Sequence, residues 1–328
     1  MKKKLFILCA ALVWTVALMA QSIAVVTANG TTTLVRTLDE AIAVVNENDG
    51  CVVYLPGGGF PVSDDSKITK KVTIIGIGHK ANNDNVDGIT TISGNLWFNE
   101  GSSGSAVMGC YITGNVNIGD GGATVNDVLI KYCNLNSVQV NNSTCMETIA
   151  NQNYIRNNSR FNGSKAIIIN NIVHSITDLD NGKIAYNILA KTIREYGHWS
   201  WGTTTLHCCD QTQIINNIVL PDLPDGLLHE CSNCEVLENM TINDSYGENK
   251  NWNDYFVEYN QGEISPFSNF HFTADYKQYE SELGIYADTG FNDQQIVPVP
   301  FIVAKRIDEQ TDASGRLNVK IRVKAGGE

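Results

Sequence analysis

Residues that can exchange protons with a substrate lie close together near position 225. Asp222 and Asp225 flank a short proline-containing turn, and His229 follows four residues after Asp225. Paired carboxylates can act as general acid and base on a glycosidic bond, or hold calcium through their oxygens. Asp and Pro are also ordinary turn residues, so a structural turn is the alternative. Asp222, Asp225 and His229 are our candidate catalytic residues, and the cofactor stays open, with calcium as the candidate.

A second segment, residues 196–202, is rich in aromatic side chains. Trp199 and Trp201 offer flat apolar faces to the C–H surfaces of sugars, while Tyr196 and His198 can hydrogen-bond to hydroxyls. The alternative is that these rings fold back over the body of the protein, because large aromatic side chains are usually at least partly buried. We predict Tyr196, His198, Trp199 and Trp201 as substrate-binding residues.

Histidines and cysteines recur around positions 207 and 229. Residues of types that bind zinc are His207, Cys208, Asp210, His229, Glu230, Cys231 and Cys234. The single Cys-x-x-Cys and the other spacings fit no zinc finger or ribbon. The sequence therefore favours stacked structural histidines and thiols, and we predict no metal site here.

The elements that must position these residues appear as an internal repeat. An inward-facing position recurs every 16 to 30 residues, at Cys110, Cys133, Asn153, Asn171, Asn187, Asn217 and Asn239. Each has an apolar or small residue three places earlier, and the mean interval is close to one rung of a parallel β-solenoid. Rungs stack about 4.8 Å apart, so we expect Asn217 to lie against Asn239 and His207 against His229. An inward Asn can donate and accept along its column.

The segments before the repeat begin with a capping box. Thr37 and Glu40 precede apolar residues at helical spacing, which predicts a helix over residues 37–49. Two β-branched segments with glycines follow at residues 52–62 and 68–78. Downstream of the repeat, aromatic residues become frequent from Tyr246 to residue 272, and alternating apolar residues at 317–323 predict a last strand.

This order of helix, glycine-punctuated strands and rungs resembles the pectin-lyase-like superfamily. Residues 283–302 are similar to the ending of secreted bacterial members. The resemblance implies an all-β fold, a right-handed parallel β-helix with an N-terminal capping helix and a C-terminal strand cap. In that fold, rungs occupy residues 50–245, and residues 246–328 hold the final rungs and the cap. It implies no one activity, because the superfamily includes lyases, hydrolases, esterases and noncatalytic surface proteins.

The first 24 residues have the pattern of an export signal, with three lysines followed by an apolar run, and cleavage after Ala20 and cleavage after Ala24 are the two alternatives. We predict a secreted or periplasmic protein with one domain, residues 25–328, and no membrane span once the signal is removed. Loss of the three lysines changes the formal net charge from −12 to −15, which disfavours nucleic acid as a partner. Eight cysteines remain, and Cys209 and Cys231 are rung neighbours that either form a disulfide or stay as buried thiols.

Three functions fit these observations. The first is binding of a polysaccharide or cell-surface glycan along one flank, in a groove formed by residues 196–202 with the neighbouring turns at 174–183 and 222–230. The second is a polysaccharide lyase or glycoside hydrolase that uses the acids and His229. The third is a noncatalytic structural or adhesion protein. Whether the chain is an enzyme stays open at this point.

Overall fold

The computed structural model describes residues 24–80, 88–190, 205–220, 227–241, 252–258, 265, 268–288, 290–293, 297, 301–307 and 319–324. These residues form mostly β-strands in large parallel sheets, which confirms the all-β prediction. No helix in this part of the chain is long and apolar enough to span a membrane.

Helix α1 spans Leu38–Glu47 and begins at the predicted capping box. The Oγ1 atom of Thr37 accepts a hydrogen bond from the Glu40 N–H at 3.1 Å, and the Glu40 carboxylate accepts one from the Thr37 N–H at 3.4 Å. Its apolar face is buried in the main core together with the strand Ala24–Ala28. The buried residues of this face are Leu38, Ala41, Ile42 and Val45.

The strands of the first ladder form a nine-stranded parallel sheet within the described residues. They are Gly58–Pro61, Thr90–Ser93, Tyr111–Ile112, Asn134–Leu135, Tyr154–Ile155, Ile172–Val173, Ile188–Leu189, Ile218–Val219 and Met240–Thr241. Each pairs in register with the strand of the next repeat, as Ile188 does with Ile218. Several of its later strands have both neighbouring side chains buried, which is typical of a parallel sheet covered on both faces.

The second and third ladders share the long strand Ser159–Ile169 and so form one 18-stranded sheet among the described strands. The second ladder also contains Lys67–Ile68, Leu96–Phe98, Val116–Ile118, Val138–Val140, Ile176–Leu179, Leu206–His207 and Leu228–His229. The third also contains Ala24–Ala28, Thr31–Val35, Cys51–Leu55, Val72–Gly76, Ala106–Met108, Leu129–Lys131, Met146–Asn151, Lys183–Ala185, Gln213–Ile215 and Glu235–Leu237. Antiparallel pairing in this sheet involves Ala24–Ala28, which lies beside Thr31–Val35 and Cys51–Leu55. Apolar residues from all three ladders form one continuous buried cluster.

The predicted asparagine column is confirmed. The side chain of Asn187 accepts from the backbone N–H of Asn171 at 2.9 Å and donates to the Ile168 carbonyl at 2.8 Å. The same pattern recurs at Asn153, Asn171, Asn217 and Asn239. Every side-chain amide of the column pairs with backbone groups of neighbouring repeats. The bends can therefore be buried without leaving those backbone groups unpaired. The predicted pairing of His207 with His229 is confirmed as well.

A left-handed residue precedes each position of the asparagine column. The φ angle is positive at Gly109, Tyr132, Gln152, Asn170, Tyr186, Asn216 and Glu238. Each lies at the bend between a strand of the third ladder and the next strand of the first ladder. We call these residues the bend column. They present polar and aromatic side chains along one edge of the first ladder.

The chain after residue 251 returns to the bend column and the outer face of the first ladder. Helix α2 is Trp252–Tyr255, and the strands Phe256–Glu258 and Asn269–Phe272 pair antiparallel. Short 3-10 helices lie at Asp120–Gly122 and Lys277–Tyr279, and a final antiparallel pair joins Phe301–Ile307 to Val319–Lys324. The strand Val319–Lys324 lies where alternating apolar residues at 317–323 predict a strand. Residues 319–323 of that segment are described.

A second apolar cluster attaches this returning segment. It consists of Ile172, Ile188, Ile218, Leu220, Phe256, Phe270, Phe272 and Ile285. Polar contacts with the bend column add to it, since the Asn170 amide donates to the carbonyls of Ile285 and Ala287 at 3.0 and 2.9 Å. The returning segment is therefore held by buried aromatic packing and by specific hydrogen bonds.

Candidate functional site

An open cleft of about 1000 Å³ lies where the returning segment meets the bend column. Its lining residues are Tyr186, Asn216, Glu238, Asn239, Met240, Tyr255, Tyr276, Tyr279, Ser281, Glu282 and Leu283. We call it the tyrosine cleft. Its volume is at the upper end of the roughly 300–1,000 Å³ typical of ligand sites.

The repeat contributes one wall of the tyrosine cleft through the bend column. Tyr186, Asn216 and Glu238 occupy equivalent positions in three successive repeats, with φ near 56°, 57° and 54°. Each comes directly before an asparagine of the column, so its position is fixed by the hydrogen bonds behind it. The wall therefore repeats with the spacing of the stacked strands.

The returning segment contributes the other wall. The rings of Tyr255 and Tyr276 lie 4.6 Å apart between centroids, and Tyr279, at the end of a 3-10 helix, is 39% exposed. The two walls are joined directly by Asn216. Its side-chain amide donates to the Glu282 backbone carbonyl at 2.7 Å, and its backbone carbonyl accepts from the Gly284 N–H at 2.9 Å.

The chemistry of the tyrosine cleft is aromatic and acidic. Four tyrosines provide apolar faces and hydroxyls, and Glu238 and Glu282 provide carboxylates that accept hydrogen bonds. Among its described lining residues there is no Lys, Arg or His. This set suits an uncharged ligand rich in hydroxyl groups, and it disfavours a polyanion.

A hydrogen-bonded network stands behind the returning wall. The His271 ring bridges two carboxylates, with Nδ1 3.0 Å from Glu280 and Nε2 3.0 Å from Asp293, and it stacks on Tyr286 at 3.8 Å. Burial raises the pKa of the Glu280 carboxyl, but hydrogen bonds from Lys277, His271 and the Phe272 N–H outweigh it, so the net shift is downward. Burial, together with the hydrogen bond to Asp293, raises the pKa of the Tyr286 hydroxyl. The network fixes the orientation of the His271 and Tyr286 side chains.

His207 and His229 lie on the second ladder. Their rings stack on each other, with centroids 5.2 Å apart and planes within 11° of parallel. Glu230 Oε2 lies 3.1 Å from His207 Nε2 and 3.7 Å from the Cys208 sulfur. Burial, followed by the charges of Asp178 and Glu230, raises the pKa of the Cys208 thiol to about 11. This is where, among the described residues, nitrogen, oxygen and sulfur ligands of a metal come closest together.

Cys209 and Cys231 are free thiols in the structure, which selects one of the two predicted alternatives. The Cys231 sulfur accepts from the Cys209 N–H at 3.1 Å. Hydrogen bonds from the thiol and the backbone of Cys209 lower the pKa of Cys231 to about 7, and the same thiol contact raises the pKa of Cys209.

The residues predicted from the sequence are only partly described. Asp222, Asp225, Tyr196, His198, Trp199 and Trp201 lie outside the described residues, and their roles stay predictions. His229 is described, at the end of the strand Leu228–His229 and stacked on His207.

The tyrosine cleft was missed by the sequence analysis. Its signal was the high frequency of aromatic residues after residue 246, which includes Tyr255. Tyr276 and Tyr279 belong to the same part of the chain but carry no motif that would indicate which wall they form.

Comparison with family models, with curated protein sequences and with solved structures gives no match to this chain. A function is therefore inferred from the chemistry of the described residues.

Proposed function

We propose that this chain is an exported right-handed parallel β-helix, similar to the pectin-lyase-like superfamily, that binds a neutral polysaccharide in the tyrosine cleft. In-register parallel pairing between successive repeats over three ladders supports the fold. The observation that carries the function is the tyrosine cleft, with tyrosine rings on both walls and one carboxylate on each, Glu238 and Glu282.

The tyrosines suit sugars because one face of a pyranose ring is a surface of C–H groups. Such a face packs on an aromatic ring, while hydroxyls at the sugar edge donate to carboxylates or to amide oxygens. Tyr186 and Tyr279 lie on opposite walls, so a linear glycan can contact both. The acidic lining and the net charge of −12 disfavour uronates and sulfated glycans.

A glycoside hydrolase is the second candidate. Glu238 and Glu282 belong to different walls of the same cleft, and a pair of carboxylates is the usual machinery for hydrolysis. A lyase that uses a cationic base has less support, because no Lys or Arg is among the described lining residues. The acids and histidine predicted from the sequence remain the alternative machinery.

The first strand bears on where an export signal would be cleaved. Ala24, the last residue of the predicted signal, is fully buried at the start of the strand Ala24–Ala28. Cleavage after Ala20 would leave this strand intact, whereas cleavage after Ala24 would remove its first residue. We therefore propose processing after Ala20, which the N-terminal sequence of the exported protein tests.

The test of binding is a panel of neutral and acidic polysaccharides measured by calorimetry and by release of reducing ends. We expect affinity for a neutral glycan and a loss of about two- to tenfold in Tyr279→Ala, since an aromatic contact contributes about 0.5–1.5 kcal/mol. Tyr54→Ala is the matched control, because Tyr54 is also exposed, at 43%, and lies in the N-terminal strand Cys51–Leu55. Equal affinities of the two variants, or no binding across the panel, would refute the proposal.

The same panel separates binding from hydrolysis. Reducing ends that disappear in Glu238→Gln while affinity is retained would establish a hydrolase. Affinity without product in the unaltered protein would establish a binding protein.

A further inference from the structure

Three successive repeats each place a potential metal ligand at one bend of the second ladder. The strand residues Thr177, His207 and His229 pair in register, and the residues that follow them are Asp178, Cys208 and Glu230. All three following residues are left-handed, with φ of 56°, 49° and 52°. Neighbouring residues of an extended strand point to opposite faces, but this change of conformation breaks the alternation. At two of the repeats it brings the thiol of Cys208 and the carboxylate of Glu230 beside the His207 imidazole.

The distances among three ligand atoms match the edges of a zinc coordination tetrahedron. With Zn–N and Zn–O near 2.0 Å and Zn–S near 2.3 Å, tetrahedral geometry puts N and O about 3.3 Å apart and S about 3.5 Å from either. The separations are 3.1 Å from His207 Nε2 to Glu230 Oε2, 3.8 Å from His207 Nε2 to the Cys208 sulfur, and 3.7 Å from that sulfur to Glu230 Oε2. An ion therefore fits with shifts of a few tenths of an ångström.

A fourth ligand is within reach on the same bend. One ring nitrogen of His229 lies within 4.8 Å of the ligand atoms of His207 and Glu230. The Asp178 carboxylate is also close to His207 and Cys208, but it accepts from Arg160 at 2.6 Å and so is already paired with a cation. The His229 ring is stacked on the His207 ring within 11° of parallel, so it must turn for its nitrogen to reach the same ion, and Asp178 contributes a nearby negative charge.

We propose that His207, Cys208, His229 and Glu230 form a zinc site on the flank of the stacked strands. Two imidazoles, one thiolate and one carboxylate are a donor set that suits zinc and excludes calcium or magnesium, which take oxygen ligands. The side chain of His207 is 21% exposed and that of Glu230 is 50% exposed, so an ion can enter without unfolding. The ion would bind together two adjacent repeats that strand pairing already places in register.

Cobalt titration of the full reduced, metal-free chain tests this site. Co²⁺ replaces zinc in such sites, and a thiolate ligand gives a sulfur-to-cobalt charge-transfer band in the near ultraviolet. We expect one ion per chain, the charge-transfer band, and displacement of cobalt by Zn²⁺. No binding, or binding without the sulfur band, would overturn the proposal.

Variants assign the ligands. Cys208→Ser should abolish the band, and His229→Ala should weaken Zn²⁺ binding by more than about tenfold, because even an outer-shell partner costs about 10–100-fold. Cys234→Ser is the matched control, since the Cys234 thiol donates to the Cys209 carbonyl at 2.7 Å and is not among the proposed ligands. A band that survives Cys208→Ser but is lost in Cys231→Ser or Cys234→Ser would place the ion on the core thiols and refute the assignment. Far-ultraviolet circular dichroism of each variant confirms that it is folded.

Discussion

Replacement of Asn171 by alanine tests whether the asparagine column holds the repeats together. Asn171 is fully buried. Its side-chain oxygen accepts from the Asn153 N–H at 2.8 Å, and its amide donates to the Ala150 carbonyl at 2.8 Å. In Asn171→Ala both backbone groups lose these partners in a place that water does not reach.

The size of the effect is set mainly by those two groups, and loss of the bonds to the Asn153 amide and the Ile169 carbonyl adds to it. A buried donor or acceptor left without a partner costs about 1–3 kcal/mol. Two of them give a loss of about 2–6 kcal/mol in the free energy of unfolding, which is a large part of the about 5–15 kcal/mol typical of a folded domain. The small cavity left by the missing amide acts in the same direction.

Asn239→Ala is the matched control at the end of the described column. Asn239 makes the same kinds of bonds, to the Asn217 N–H at 3.0 Å and to the Ile214 carbonyl at 2.7 Å, but it is only half-buried. Water can replace its amide, so we expect a loss of about 1 kcal/mol.

Equilibrium urea unfolding, followed by circular dichroism, measures both variants. We expect Asn171→Ala to lose at least about 1 kcal/mol more than Asn239→Ala. Equal losses would show that the column is not a buried hydrogen-bond network. A loss below about 1 kcal/mol in Asn171→Ala would show the same.

Three further predictions concern other parts of the chain. Mild oxidation should join Cys209 to Cys231, because stacked neighbours about 4.8 Å apart are within disulfide range; peptide mass mapping detects the bridge, and the gain in stability should be about 3 kcal/mol. A bridge between other cysteines would contradict this. Glu280→Gln should lower stability near neutral pH. Because the pKa of Glu280 is lowered in the folded state, its contribution is complete above its ordinary value of 4.5 and is lost as the pH falls below it. Unfolding curves of the two proteins should therefore converge as the pH falls below this ordinary value, and a difference independent of pH would refute the assignment. Gly284→Ala should cost about 1–2 kcal/mol and weaken glycan binding, since Gly284 has a φ of 70° and an added Cβ would lie 2.5 Å from Ile218 Cδ1. Unchanged stability and affinity would show that the returning segment tolerates a different path.

The parallel stacking was predictable because each repeat pairs with the next one along the chain. Leu206 to Leu228 and His207 to His229 have the same offset of 22 residues, so the register was visible as a sequence period. Helix α1 was predictable for a similar reason. Its capping box and its buried stripe are relations between residues three or four apart.

The tyrosine cleft could not be located in this way. Its two walls meet through contacts such as that between Asn216 and Glu282, which are 66 residues apart and belong to no repeat. The sequence showed that aromatic residues are frequent after residue 246, but not that this segment returns to the bend column.

The proposed zinc site depended on the backbone as well as on the period. The sequence alone determined that His207 would lie against His229, because stacking follows from the repeat. Only the tertiary structure showed that Cys208 and Glu230 adopt a left-handed conformation, which brings the thiol and the carboxylate to the same side as the His207 imidazole. Neither residue is glycine, so the hydrogen bonds of the stack, rather than an intrinsic preference, must select that conformation.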